Sequence, residues 1–237
     1  MGTSSSYSSP TTPEWRKAKS AVSRYASAGG ETGGRSPRLP VARFVQALGG
    51  AREAARDASV GRAVAGGLLQ FARTASARGA DAALREAGLP DAIGLPADEA
   101  LQRIVDTFAT GANTLDETAA RNALVEVMRE LLADANDLDD AFENLDANGL
   151  LELLRKFIAA YIFWRFARAL GDRLRAKSET GPAGRRRERE IRRYIEAEVT
   201  VAFEDFDAQS LDWRRESDKI IERCTRAAFQ TLGETDI

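Results

Sequence analysis

The sequence predicts an all-α protein, a multi-helix globular bundle with a flexible polar N-terminal tail. Three observations predict it. Apolar residues recur at helical spacing along nearly the whole chain after residue 13. No stretch sustains the apolar–polar alternation of a half-buried strand. A composition of 43% hydrophobic and 30% charged residues over 237 residues suits a globular chain with a sizeable core.

The elements follow in order. Residues 1–13, MGTSSSYSSPTTP, offer only Tyr7 as an aromatic anchor and are expected to stay extended or disordered. Thr12 provides a helix cap, Pro13 fits a first turn and Glu14 suits the positive helix end, so a helix is expected over about 13–27 with Trp15, Ala18, Val22 and Tyr25 on one face. Gly29–Pro40 reads as a loop and closes an N-terminal segment of 14–40.

A helical domain of 41–237 follows. Val41–Ser59 and Arg62–Ala87 read as Ala-rich helices, with Gly49-Gly50 and Gly66-Gly67 as breaks or packing points. Shorter helices are expected over 97–109, over 114–135 with Thr114 as cap, and over 138–145. After Asn148-Gly149 comes the most apolar helix, Leu150 to Lys177, whose Leu153, Leu154, Phe157, Ile158, Tyr161, Ile162 and Trp164 are expected in the core. Residues 178–184 (SETGPAG) read as a linker and a sub-boundary, and two last helices are expected over 186–206 and 212–232.

Charge is unevenly laid out. The net charge is only −2, yet Asp81–Asp146 holds 16 acidic residues against 4 basic ones, and Leu151–Arg193 holds 13 basic against 5 acidic. Blocks of opposite sign suit partner docking or pairing within the chain. The polar start is no signal peptide, and the apolar run Phe157–Trp164 is far short of the roughly 20 residues a membrane span needs, so a soluble, cytoplasmic protein is expected. Cys224, the single cysteine, forms no internal disulfide and falls on an apolar helix face, where packing explains it.

The chemistry-bearing motifs are mostly absent. With no histidine, neither the usual catalytic triads nor the commonest metal ligand can be assembled, and neither GxxxxGK[ST] nor GxGxxG occurs. No catalytic residue, metal site or cofactor is therefore expected, and the chain reads as non-enzymatic. Asn144–Gly149 matches the first half of a calcium loop, but Arg155 stands where a bidentate Glu is required; a turn and helix cap explain the motif instead. Asp134, Asp137, Asp139 and Asp140 read likewise as capping groups at a helix start.

Two features remain as candidate sites. One is the run Arg185, Arg186, Arg187, Arg189, Arg192 and Arg193, able to grip an acidic partner or phosphates. Glu188 and Glu190 interleave with it and favour a solvated or internally paired face, so nucleic acid is not the expected partner. The other is the N-terminus. Met1–Ser6 fits MGxxx[ST], a myristoylation pattern, but the Arg and Ala bias suggests GC-rich bacterial coding, where that lipidation is not expected.

The opening MGTSSSYSSP, with TPEWRKAKSAVSRYA and the glycine-containing loop after it, resembles the QatB family of the bacterial Qat anti-phage defence systems. The resemblance is carried by roughly the first 30 residues. It implies a non-catalytic role beside three companions: an ATPase (QatA-type), a QueC-like enzyme (QatC-type) and a TatD-like nuclease (QatD-type). It further implies that the α-amino group of Gly2, exposed once Met1 is removed, accepts a deazaguanine-type group from the QueC-like partner. Thr3, Ser4, Ser5, Ser6 and Tyr7 would then form the partner-binding tail, with Tyr7 as its anchor. The alternative is a helical nucleic-acid-binding or regulatory protein acting through the arginines of 185–193.

Overall fold

The apolar run around Phe157 forms the axis of the protein. In the computed structural model, which describes residues 11–27, 36–111, 114–133, 135–143 and 145–234, it lies on α9 (Ala147–Lys177), a 31-residue helix. Gly2–Tyr7, Asp134 and Asn144 lie outside the described residues. Leu153, Leu154, Phe157, Ile158, Tyr161, Ile162, Phe163 and Phe166 are all buried, which is more apolar surface than one face can hide. Neighbours therefore surround the helix. Trp164 departs from expectation: it is half-buried at the edge of the core, where its indole N–H donates to Glu126 Oε2 at 2.9 Å.

Around α9 pack α7 (Leu115–Leu132), α10 (Gly181–Phe203), α1 (Pro13–Ala26), α4 (Ser59–Arg78) and α11 (Ser217–Gly233). The shorter α2 (Arg38–Ala47), α3 (Ala51–Arg56), α5 (Ala80–Glu86), α6 (Ala97–Phe108) and α8 (Leu138–Phe142) complete eleven α-helices among the described residues, and no strand is present among them. One contiguous core runs from Trp15 to Leu232. Cys224 sits fully within it, and burial pushes its thiol up to about 12, as expected of a packing residue.

Glycine and proline set the helix boundaries. The break read at Gly49-Gly50 is there: the two take φ of 94° and 86°, a region that favours glycine, and they separate α2 from α3. Gly66-Gly67, by contrast, breaks nothing. It lies inside α4, and a Cβ on Gly67 would meet the Phe108 ring at 3.2 Å, so the missing side chain lets α6 approach. The loop expected to reach Pro40 ends earlier, since α2 starts at Arg38 and Pro40 falls in its first turn, where no intrahelical N–H is needed. Half of the expected linker 178–184 is likewise helix: Thr180 caps α10, its hydroxyl accepting from the Ala183 N–H at 3.2 Å, and Pro182 fits the first turn. The last helix starts later than expected, because Trp213 is buried in the connection before it and hydrogen-bonds to the Ala208 carbonyl at 3.4 Å.

The local caps behave as read. Thr114 and Glu117 form a reciprocal capping box on α7. Asp146 accepts from the Gly149 N–H at 2.8 Å and caps α9, the role assigned in place of calcium binding. Asp137 caps α8, Asp139 accepts from the Ala80 N–H at 2.6 Å, and Asp140 accepts from Asn136.

Candidate functional site

The two features singled out in the sequence, the N-terminal segment and the arginine run, meet in space. Helix α1 lies along the C-terminal half of α9 in the same direction. Arg173 Nε donates to the Lys19 carbonyl at 3.0 Å and to Ser23 Oγ at 2.7 Å, and Ser27 Oγ reaches the Lys177 carbonyl at 3.4 Å. Its apolar stripe, Trp15, Ala18, Val22 and Tyr25, is buried as the spacing predicts. Trp15 stands edge-on to Phe44 of α2, which stands edge-on to Phe166 of α9, with centroids 6.2 and 5.4 Å apart. Thr12 caps the helix at the point where the tail joins it.

At the other end of α1, Tyr25 is buried against α10. Its hydroxyl donates to Glu190 Oε2 at 2.7 Å, and the guanidinium of Arg187 lies over its ring at 4.9 Å. Arg187 also donates to Glu190 Oε2 at 2.9 Å, and Arg186 lies 3.8 Å from the other oxygen. Burial pushes the Tyr25 hydroxyl far above its ordinary value, and the adjacent Glu190 carboxylate adds to the effect. For Glu190 burial pulls upward, but hydrogen bonds from Tyr25 and Arg187 outweigh it and hold the carboxyl below the usual range.

The six arginines thus divide. Arg187 is 5% exposed and belongs to the Tyr25 contact. Arg192 turns toward α7 and α9: it pairs with Glu126, its guanidinium 3.9 Å from the Phe163 ring centroid. Arg185, Arg186, Arg189 and Arg193 are exposed, with 185, 189 and 193 at i,i+4 spacing on one stripe. The structure therefore brings only part of the run to one open face.

The opposite-sign blocks pair within the chain. Lys156 reaches Glu130 at 2.6 Å, Arg192 reaches Glu126, and Arg165 lies 3.4 Å from Asp116. These contacts join α7 to α9 and α10. Lys156, Glu130 and Glu126 line a groove of about 210 Å³ with Glu196, whose pKa is raised by burial and the neighbouring Glu126 against the pull of Arg192 and Arg155.

One polar cluster was missed by sequence reasoning. The Tyr161 hydroxyl donates to Asp116 Oδ1, Arg165 donates to the Ala54 carbonyl at 3.3 Å, and the Arg165 guanidinium lies 5.6 Å from the Tyr161 ring centroid. Asp116 had shown only as a first-turn acid; nothing in the sequence linked it to residues 45 and more positions away. The cluster ties α7 and α3 to α9. Among those residues no three acidic or thiol groups are placed to share a metal ion, and no helix is long and apolar enough to cross a membrane.

A family model described as "Qat anti-phage system associated protein QatB" matches residues 49–232. The match falls on the helical body, from the start of α3 to the end of α11, whereas the resemblance seen in the sequence was carried by the first 30 residues. No curated protein matches, and no solved structure matches.

Proposed function

The chain belongs to the QatB family of anti-phage system proteins, and from that premise we propose that it is a non-catalytic component whose N-terminal glycine is the functional end. In this reading Gly2, freed by removal of Met1, accepts a deazaguanine-type group from a QueC-like partner. The helical body docks that partner and the ATPase, with the TatD-like nuclease as a further companion, in the cytoplasm. A glycine α-amine is unhindered, and its pKa near neutrality leaves a neutral, nucleophilic fraction that can displace the leaving group of an activated donor, the bond to that group breaking as the new bond to nitrogen forms and the amine loses a proton.

The observation that supports this reading best is the seating of α1. Trp15 and Tyr25 fix both ends of the helix on the body, and Thr12 marks where the preceding residues leave it. A short polar segment joined to a fixed helix has the distance of its end from the body limited by chain length, which raises its effective concentration at a partner docked there. The arginine stripe gives less support to a nucleic-acid reading, since Arg187 and Arg192 face inward.

The test is co-expression with the companion proteins followed by mass spectrometry of the N-terminal peptide. Added mass on Gly2, present only with the QueC-like companion, is the expected outcome. An unmodified Gly2, together with full defence activity in a variant lacking residues 2–9, would overturn the proposal.

A further inference from the structure

Between α4, α5 and α6 lies a pocket of about 180 Å³. Phe71, Thr74 and Ala83 are its buried, innermost residues. Gly67, Ala87 and Phe108 are half-buried along its walls, and Gln70 and Glu86 are exposed at its mouth. The interior is thus apolar apart from one hydroxyl, that of Thr74.

The buried polar side chains among the described residues are Thr74, Arg187 and Thr225. Arg187 is held by Glu190, and the Thr225 hydroxyl donates to the Ile221 carbonyl at 2.7 Å, one turn back along its helix. Thr74 is 6% exposed, and its hydroxyl makes no hydrogen bond with any described residue. The fully enclosed side-chain atom left without a partner among them is Arg62 Nε. The Thr74 oxygen is therefore not sealed in, and it faces the open space of the pocket it lines. A hydroxyl can both donate and accept, and leaving both unused at a buried site is costly. Above it the mouth is bridged. Gln70, Thr74 and Arg78 recur at i,i+4 spacing along α4, and the Glu86 carboxylate of α5 accepts from Gln70 Nε2 at 3.1 Å and from Arg78. Glu86 thus spans the position of Thr74.

We propose that this pocket binds a small molecule made of one neutral aromatic ring with a hydroxyl group, which exchanges a hydrogen bond with Thr74. Each part of that description has its own cause. Pockets for drug-sized ligands run from roughly 300 to 1,000 Å³, whereas an apolar cavity of roughly 150 Å³ takes benzene, so the volume here admits a single ring. Phe71 and Phe108 form two of the walls with their rings inclined at 70°, and aromatic groups gain from edge-to-face neighbours beyond the area they bury. Glu86, the one ionised group lining the pocket, is already paired with Arg78, so a charged ligand has no counter-ion to gain. Thr74 supplies the reason for the hydroxyl. The Gln70–Glu86–Arg78 bridge favours a free molecule: a lone ring passes it by side-chain movement, whereas a ring borne on a polypeptide leaves its main chain against the bridge. The inference is independent of the function proposed above.

The test titrates the full chain with phenol and with benzene and follows the backbone amide NMR signals of residues 67–74, 83–87 and 108. Phenol should shift these signals saturably. Thr74→Val, which keeps the shape and removes the hydroxyl, should weaken phenol about fivefold and leave benzene unchanged. Ala87→Leu, which fills the pocket from its wall, should abolish both. N-acetyltyrosinamide, the same ring on a peptide unit, should bind more weakly than phenol by about tenfold or more. Circular dichroism matching the parent's shows that the variants are folded; where Ala87→Leu is not, the Thr74→Val comparison decides alone. No saturable shift with phenol, shifts confined to other amides, phenol binding that survives Ala87→Leu, or parent-like phenol affinity in Thr74→Val would overturn the site. N-acetyltyrosinamide binding as tight as phenol's would overturn the assignment to a small molecule and make the pocket a seat for a partner's side chain.

Discussion

Tyr25 and Glu190 are 165 positions apart in sequence, and the hydroxyl of one donates to the carboxylate of the other at 2.7 Å. The bond joins the helix that carries the N-terminus to the helix that carries the arginine run. Arg187 completes it from above the ring, so one buried phenol, one carboxylate and one guanidinium hold the far end of α1.

Removing the Tyr25 hydroxyl should therefore loosen α1 without emptying the core. Tyr25→Phe keeps the ring and its contact with Arg187 but leaves Glu190 one donor short, and should cost about 1–2 kcal/mol. Glu190→Gln should cost more, because it removes the charge that faces the Arg187 guanidinium, which is almost fully buried. Urea unfolding of the two variants checks the order. Parent-like midpoints for both would show that α1 is held by Trp15 and its apolar stripe alone.

The same contact sets a pH window. Glu190 has its carboxyl held low in the fold, so its contribution is present above its ordinary value of 4.5 and is lost as pH falls through the lowered one. Tyr25 is raised, so its contribution is present below its ordinary value of 10.0 and is lost as pH rises above it. The stability difference between the parent and Tyr25→Phe should thus be level from about pH 5 to 9.5 and shrink on either side. Urea midpoints measured across that range give the comparison, and a difference that grows toward either extreme would contradict it.

How much of this was legible in the sequence follows from range. Caps and stripes are local: Thr12, Thr114 and Asp146 sit where their helices begin, and the burial of Trp15, Val22 and Tyr25 follows from their spacing alone. The arginine run was visible too, but not which members turn inward, because that depends on Tyr25 and Glu126 arriving from other helices. The Asp116–Tyr161–Arg165 cluster was illegible for the same reason. Gly61 shows the limit well. In the sequence it is one glycine among many, whereas in the fold a Cβ there would meet the Tyr161 ring at under 3.0 Å.

Two core substitutions test the axis. Phe157 is 1% exposed, so Phe157→Ala should cost about 3–5 kcal/mol through lost burial and the cavity left behind. Gly61→Ala should destabilise by the opposite means, forcing the Tyr161 ring away from Asp116, at a cost of about 1–3 kcal/mol. Thermal unfolding distinguishes them from surface changes. A Phe157→Ala protein as stable as the parent would mean that α9 is not the axis of the core.

The exposed arginines should not make this protein a general DNA binder. Arg185, Arg189 and Arg193 form a stripe of three charges on α10, while Arg187 and Arg192 are engaged with Tyr25, Glu190 and Glu126. Phosphate contacts add affinity roughly in proportion to their number, and each contact steepens the loss of affinity with salt. Three contacts on that stripe, or four with Arg186, which lies beside Glu190, supply too few for tight non-specific binding. Fluorescence anisotropy with a duplex at low salt should therefore show weak binding or none. The decisive variant replaces Arg185, Arg189 and Arg193 by Ala and leaves Arg187 alone, because removing that buried guanidinium would disturb the α1 contact and confuse the reading. Submicromolar, steeply salt-dependent binding by the parent that this variant abolishes would overturn the prediction and restore nucleic acid as the partner of α10.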